Sequence, residues 1–142
     1  KTIIMNKTLY IIIFSLFFSS CEKQAGEGGT SVIEGQVWKI FTFQNPISGE
    51  QDTSYYQLDV GKDVFIIYSN DNGLVYDDKF ETDYNGRYRF EYLRKGEYTI
   101  YTYADSTDVD MVKYDFPIFK SVNIEKNNSV LTIDDFIIEE NQ

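Results

Sequence analysis

The sequence predicts an all-β fold, a seven-stranded antiparallel β-sandwich of Greek-key topology. Aromatic residues make up 17% of the chain, with 12 Tyr and 11 Phe, and together with Val, Ile and Thr they favour strands over helices. No stretch of ten or more residues has convincing helical periodicity. Short apolar runs alternate instead with turn signals, a pattern that is typical of a sandwich.

The chain is organised around the stretch Thr82–Tyr103, which predicts a β-hairpin. Asn85-Gly86 supplies its turn, because both residues tolerate the positive φ that a primed turn requires. The strands are predicted at Arg87–Tyr92 and Glu97–Tyr103, with a second turn at Gly96. This hairpin is the strongest local signal in the sequence.

Side chains on a strand alternate between its two faces, so these strands also predict a core. The inward set is aromatic or aliphatic: Tyr88, Phe90, Tyr92, Tyr98 and Ile100. The outward set comprises Arg87, Arg89 and Glu91 on the first strand, and Thr99, Tyr101 and Tyr103 on the second.

Residues 1–20 predict a removable export signal. Leu9–Phe18 is an apolar run of ten residues, too short for a membrane-spanning helix but suited to a signal peptide. Ser19-Ser20 precede Cys21, and the arrangement resembles a bacterial lipobox, with Phe18 where leucine is usual. The resemblance implies that Cys21 is lipidated and anchors the protein to the cell envelope, in the outer membrane. A plain secretory signal with a chance cysteine is the alternative.

The predicted domain boundaries follow from the next stretches. Residues 21–30 are polar and Gly-rich, which favours a flexible tether. The folded domain then spans residues 31–140, beginning with a strand at Ser31–Phe43 in which Gly35 marks a bulge or a close approach. Gln44–Gly61 carries Pro46, Gly49 and a polar cluster, and predicts a long loop.

Four more strands complete the seven. They are apolar segments bounded by turn residues or by the acidic loop Asp105–Asp115, and lie at Lys62–Ser69, Leu74–Phe80, Phe116–Ile124 and Val130–Glu139. Pro117 favours an edge position for the third of them.

The composition excludes several classes of function. A net charge of −10 repels nucleic-acid phosphates and anionic lipid headgroups, so a nucleic-acid partner is not expected. The chain has no histidine, the commonest general base and transition-metal ligand, and one cysteine, which permits neither an intrachain disulfide nor a Cys-based zinc site. No nucleophile–base pair or phosphate-binding loop is present. The prediction is a protein without catalytic activity or cofactor.

Several short motifs resemble the carboxypeptidase regulatory-like family. They are Gly35-Gln36-Val37, Val64-Phe65-Ile66, Thr82-Asp83-x-x-Gly86-x-Tyr88-x-Phe90 and Leu93-x-x-Gly96-x-Tyr98-x-Ile100. The resemblance implies a transthyretin-like (prealbumin-like) sandwich and an accessory, stalk or binding role. Hydrolases of similar fold use histidines and a C-terminal tetrapeptide, which this sequence lacks.

Three surfaces are candidates for binding. Tyrosines outside the predicted core can stack on sugars or anchor a protein interface, or else cover the sheet: Tyr55, Tyr56, Tyr101 and Tyr103, with Trp38 as a companion. Arg87 and Arg89 either pair with nearby glutamates or dock an acidic partner. The carboxylates Asp105, Asp108 and Asp110 suggest either a solvated loop or a calcium site, although the EF-hand pattern is absent.

The leading functional hypothesis is a lipid-anchored accessory or protein-interaction module of the cell envelope. The alternatives are a glycan-binding surface lipoprotein, which would use the outward tyrosines and the Gln44–Gly61 loop, and a pilin or surface-fibre subunit.

Overall fold

The computed structural model describes residues 24–73, 75–107 and 113–141, which form an all-β, sandwich-like domain. Cys21 and the export signal lie outside the described residues. The described part contains nine strands: β1 (Glu27–Gln44), β2 (Gln51–Leu58), β3 (Asp63–Ile67), β4 (Asp78–Glu81), β5 (Arg87–Leu93), β6 (Gly96–Thr107), β7 (Lys113–Ile124), β8 (Val130–Thr132) and β9 (Phe136–Asn141). They form one sheet of five strands and one of four.

The long strand β1 is the centre of the five-stranded sheet. Strands β5 and β2 pair with successive parts of β1, and both are antiparallel to it. Val37 lies where they meet: its N–H donates to Gly86 O at 2.8 Å, and its carbonyl accepts from the Asp59 N–H at 2.9 Å. Strands β5 and β2 therefore pair with the same edge of β1, one after the other along its length.

Strands β8 and β9 pair with β1 in parallel, which corrects the prediction of a purely antiparallel sandwich. The predicted strand Val130–Glu139 is divided between them, because residues 133–135 leave the regular pairing. The Ile133 N–H still donates to Glu34 O at 3.0 Å across this break. Strands β4, β3, β6 and β7 form the second sheet, in that order and fully antiparallel.

The predicted β-hairpin over Thr82–Tyr103 is wrong in its pairing. Its two strands are present as β5 and β6, but β5 pairs with β1 in one sheet, whereas β6 pairs with β3 and β7 in the other. The turn before β5 is closed by the Gly86 N–H, which donates to Asp83 O at 2.9 Å, and only Gly86 of the predicted Asn85-Gly86 pair has a positive φ. The chain therefore crosses from one sheet to the other where a hairpin was predicted.

The principal core contains side chains from both sheets. Its largest fully buried members include Tyr88, Tyr98, Phe136, Ile33, Ile66 and Ile100. The predicted inward positions Tyr88, Phe90, Tyr98 and Ile100 are confirmed.

Tyr92 is a wrong core prediction, since the side chain is 70% exposed. Its φ of 59° interrupts the alternation of β5, and Leu93 takes the buried position instead. Leu93 pairs with both Glu27 and Ser31, so the strand contains an irregularity here. This irregularity is a β-bulge, and it arises from the pairing of β5 with β1, a strand that is distant in sequence.

Three predicted boundaries are corrected. The predicted loop Gln44–Gly61 contains β2, because β1 continues to Gln44 and offers that segment a free edge. The predicted tether, residues 21–30, is ordered in part, since β1 begins at Glu27 and the Arg94 N–H donates to Gly26 O at 2.9 Å. Within the described residues, the predicted strand Leu74–Phe80 corresponds to a shorter and later strand, β4, Asp78–Glu81.

Buried tyrosines predict a loss of stability at alkaline pH. Burial is the main cause that raises the pKa of Tyr88, Tyr98 and Tyr101 above the ordinary value. A group whose pKa is raised by folding contributes stability that is fully present below its unfolded pKa and is lost as pH rises toward its folded pKa. The free energy of unfolding should therefore fall as pH rises above about 10, the ordinary tyrosine pKa. Urea unfolding between pH 8 and 11 measures it.

The variant Tyr88→Phe should show a shallower alkaline decline, because it removes one of these hydroxyls. Tyr84 is 81% exposed, and Tyr84→Phe serves as the matched control with an unchanged decline. A wild-type stability that stays constant up to pH 11 would contradict the prediction.

Candidate functional site

The candidate site lies on the outer face of the five-stranded sheet, the face turned away from the core. Alternation along β1 buries Ile33 and Val37 and turns Glu34, Gln36 and Trp38 to the other side. Their cross-strand neighbours come from four strands: Arg89 and Arg87 on β5, Leu58 on β2, Thr132 on β8 and Ile137 on β9. Tyr56 of β2 lies one step further, opposite Ile40.

One end of this face is an aromatic shelf, which we call the Trp38 platform: Trp38, Tyr56, Asp135 and Ile137. These four residues line a shallow cavity of about 350 Å³. Tyr56 is 62% exposed and Ile137 is 50% exposed, so solvent reaches the platform. The indole Nε1–H of Trp38 donates to Asp135 Oδ2 at 3.1 Å, which holds the ring in one orientation. A fixed, partly exposed aromatic ring is suited to stacking against a ligand.

The platform adjoins a polar cavity of about 500 Å³. Its polar lining comes mainly from the same outer face and includes Glu34, Gln36, Arg87, Arg89, Thr132 and Asp135. Asp135 lines both cavities, so the two lie side by side on this face, and together we call them the strip. An apolar surface beside convergent polar groups is the usual composition of a small-ligand site.

Ion pairs organise one part of the polar cavity. The Arg89 guanidinium bonds Glu91 through Nε at 2.6 Å and Glu34 through Nη1. The hydrogen bond with Glu91 is the main cause that raises the pKa of Arg89 above its ordinary value. The predicted pairing of this arginine with a glutamate is therefore confirmed, although Arg89 is exposed and such pairs stabilise the fold little.

The structure separates the predicted tyrosines. Tyr101 and Tyr103 lie on the outer face of the four-stranded sheet, opposite to the Trp38 platform. Tyr101 is only 3% exposed, because its ring stacks on Phe65 at 5.0 Å and contacts Phe119 at 5.2 Å between ring centres. Of the two alternatives for this tyrosine, its burial favours the one in which the ring covers the sheet. Tyr103 is 37% exposed. Tyr55 pairs with Phe41 in β2, and its side chain lies outside the described part.

The calcium and lipidation hypotheses fall largely outside the described residues. Asp105 is exposed at the end of β6, while Asp108, Asp110 and Cys21 are not described. Within residues 24–73, 75–107 and 113–141, no group of three or more His, Cys, Asp or Glu side chains is placed to hold a metal. The same residues contain no helix long and apolar enough to cross a membrane.

Sequence reasoning named Tyr56 and its companion Trp38 but missed the other residues of the site and did not place Trp38 on a face with them. Glu34, Gln36 and Trp38 could have been assigned to one face from alternation along the predicted first strand. Asp135 and Ile137 gave no comparable signal, because their place beside Trp38 depends on the parallel pairing of β9 with β1.

No protein-family model matches this chain, and no curated protein sequence matches it. Among solved structures, the chain is similar to a crystal structure from Pseudomonas aeruginosa of a protein assigned provisionally to carbohydrate binding. The identity is 16%, the TM-score is 0.48, and the match covers 82% of this chain and 92% of the other.

Proposed function

We propose that this protein is a non-catalytic glycan-binding domain, and that the Trp38 platform and the polar cavity are its binding surface. The observation that carries the proposal is the Trp38 indole, which is held by Asp135 at 3.1 Å and lies beside exposed Tyr56 and Ile137.

The chemistry of sugars fits this strip. A pyranose ring has an apolar C–H face, which stacks on an aromatic side chain, and a rim of hydroxyl groups, which needs donors and acceptors in its plane. The platform supplies the first, and the side chains of Gln36, Thr132 and Asp135 supply the second.

Within this proposal the domain is a carboxypeptidase regulatory-like, transthyretin-like sandwich of the cell envelope, anchored to the outer membrane through lipidated Cys21. The resemblances in the sequence support this part. Metabolic labelling with a fatty acid tests the anchor: Cys21→Ala should remain unlabelled and leave the membrane fraction. A Cys21→Ala protein that stays acylated and membrane-bound would contradict it.

Replacing Trp38 by alanine is expected to weaken glycan binding by about 30-fold or more, because a central aromatic contact typically contributes at least 2 kcal/mol. A glycan array identifies ligands, and calorimetry on the best of them gives the affinity. Thermal unfolding must show that the variant is folded.

The matched control is Tyr103→Ala, which removes a partly exposed aromatic ring from the other outer face. Its glycan affinity should equal that of the wild type. The proposal would be wrong if the wild type binds no glycan on the array, or if Tyr103→Ala and Trp38→Ala reduce binding equally.

A protein-interaction role is the second candidate, favoured by the outer face of the four-stranded sheet. Tyr76 and Tyr103 are 46% and 37% exposed there, and both rings pack against Phe65, at 4.8 and 5.8 Å. Crosslinking in intact cells followed by mass spectrometry tests it. One recurrent protein neighbour, lost in Tyr103→Ala, would support an accessory subunit.

A further inference from the structure

The polar cavity contains an arginine side chain, that of Arg87, which is not paired with a carboxylate of the described residues. Arg89 is engaged by Glu34 and Glu91, whereas the exposed guanidinium of Arg87 forms no ion pair within the part of the chain that the structure describes. The backbone of Arg87 is nevertheless fixed, since its N–H donates to Asp83 Oδ1 at 2.9 Å. The backbone of Arg87 is therefore held in place, while its exposed guanidinium remains available to a ligand.

The carboxylates of the same cavity have partners other than the Arg87 guanidinium. Glu34 binds Arg89, and Asp135 accepts the Trp38 indole N–H. Asp83 Oδ1 accepts backbone N–H groups from Asn85 at 2.7 Å and from Arg87. The local arrangement thus leaves Arg87 as the cation of the cavity that is free to bind an anion from outside.

A second group in the cavity also lacks a partner. Tyr88 lines it and is 1% exposed, yet no described residue forms a hydrogen bond with its hydroxyl. A buried hydroxyl without a partner costs stability, and such exceptions in a native structure often indicate a functional site. The hydroxyl lies beneath Gly35 of β1, so the floor of the cavity contains an unpaired polar group next to the outer face that carries Arg87.

We propose that the polar cavity binds an acidic glycan, in which Arg87 holds the carboxylate of a uronic-acid unit while a neighbouring unit stacks on the Trp38 platform. The inference rests on the proposed function and names its ligand class. The planar guanidinium matches a carboxylate with two parallel N–H···O bonds. Arg87 pairs with Gln36, and Trp38 is the next outward residue on β1, roughly 6.6 Å further along the strand. That spacing is comparable with one sugar unit.

Because the chain as a whole is negatively charged, its attraction for an acidic glycan has to come from the contact with Arg87 itself. With a net charge of −10, the protein has no general attraction for polyanions. Binding through one arginine should therefore weaken by no more than about fivefold between 50 and 300 mM salt, in contrast to the much steeper loss that several charge contacts give.

Calorimetry with matched trisaccharides tests the inference on the full chain. The probes are trisaccharides of galacturonic, glucuronic and mannuronic acid, each compared with its carboxyl-reduced, neutral form. The wild type is expected to bind at least one acidic form about 10-fold more tightly than its neutral form. Arg87→Gln should bind both forms equally. Arg87→Lys should keep only part of the preference, because lysine retains the positive charge but cannot donate two parallel hydrogen bonds to a carboxylate.

The control variant Lys95→Gln makes the same change in charge at the exposed turn between β5 and β6, and should keep the full preference. Equal binding of acidic and neutral forms by the wild type, abolished in Trp38→Ala, would overturn the inference and leave the glycan proposal intact. Absence of binding to any glycan would overturn both. Arg87-dependent binding of triglutamate or of a sulfated trisaccharide at the same affinity would overturn the assignment to uronic acids.

Discussion

Replacing Gly86 by alanine is expected to lower the free energy of unfolding by about 3 kcal/mol, the sum of left-handed backbone strain and steric overlap. Gly86 has a φ of 64°. A Cβ there would lie 2.8 Å from Val37 O and 3.3 Å from Leu58 Cβ. Backbone cannot move aside easily at this point, because Val37 joins β5 and β2 to β1. Chemical denaturation with urea or guanidinium measures the change.

Gly49 provides the matched control, since its φ of 71° is similar and a Cβ added there would meet no atom of the described residues within 4 Å. Gly49→Ala should therefore cost only the backbone strain, about 1 kcal/mol. The difference between the two variants isolates the contact with Val37. Equal losses would show that the close approach of Gly86 to β1 contributes nothing.

Removing the hydroxyl of Tyr98 is expected to cost about 2 kcal/mol, because Tyr98→Phe leaves buried backbone groups without partners. The hydroxyl accepts from the Gly26 N–H at 2.9 Å and donates to Arg94 O at 2.8 Å, and the side chain is fully buried. These bonds hold the chain before β1 against the turn between β5 and β6. Hydrogen exchange at Gly26 should accelerate in the variant.

Tyr88→Phe is the control for this prediction. Tyr88 is equally buried, but its hydroxyl has no hydrogen-bond partner among the described residues. Its removal should change the free energy of unfolding by less than about 0.5 kcal/mol, or stabilise the protein. A loss in Tyr88→Phe as large as that in Tyr98→Phe would contradict this account of both hydroxyls.

The strands and faces around Thr82–Tyr103 were predicted well, but their pairing as a hairpin was wrong, because β5 pairs with β1 in one sheet and β6 with β3 and β7 in the other. The turn at Asn85-Gly86 depends on residues that are adjacent in the chain, and the inward positions Tyr88, Phe90, Tyr98 and Ile100 follow from alternation alone. Tyr92 was wrong because the irregularity after it depends on how Leu93 pairs with β1. Alternation cannot reveal a bulge that a distant partner imposes.

For the candidate site too, the sequence determined what lies within one strand, and the tertiary structure decided which strands lie beside it. The residues of one strand reveal that Trp38 shares a face with Glu34 and Gln36, and composition is enough to predict an all-β protein without histidine chemistry. The identity of that face as a site depends on Tyr56 and Asp135, which come 18 and 97 residues after Trp38 in the chain. Strand pairing brings them together, and pairing between strands this far apart is chosen by the packing of the whole core, which no local pattern encodes.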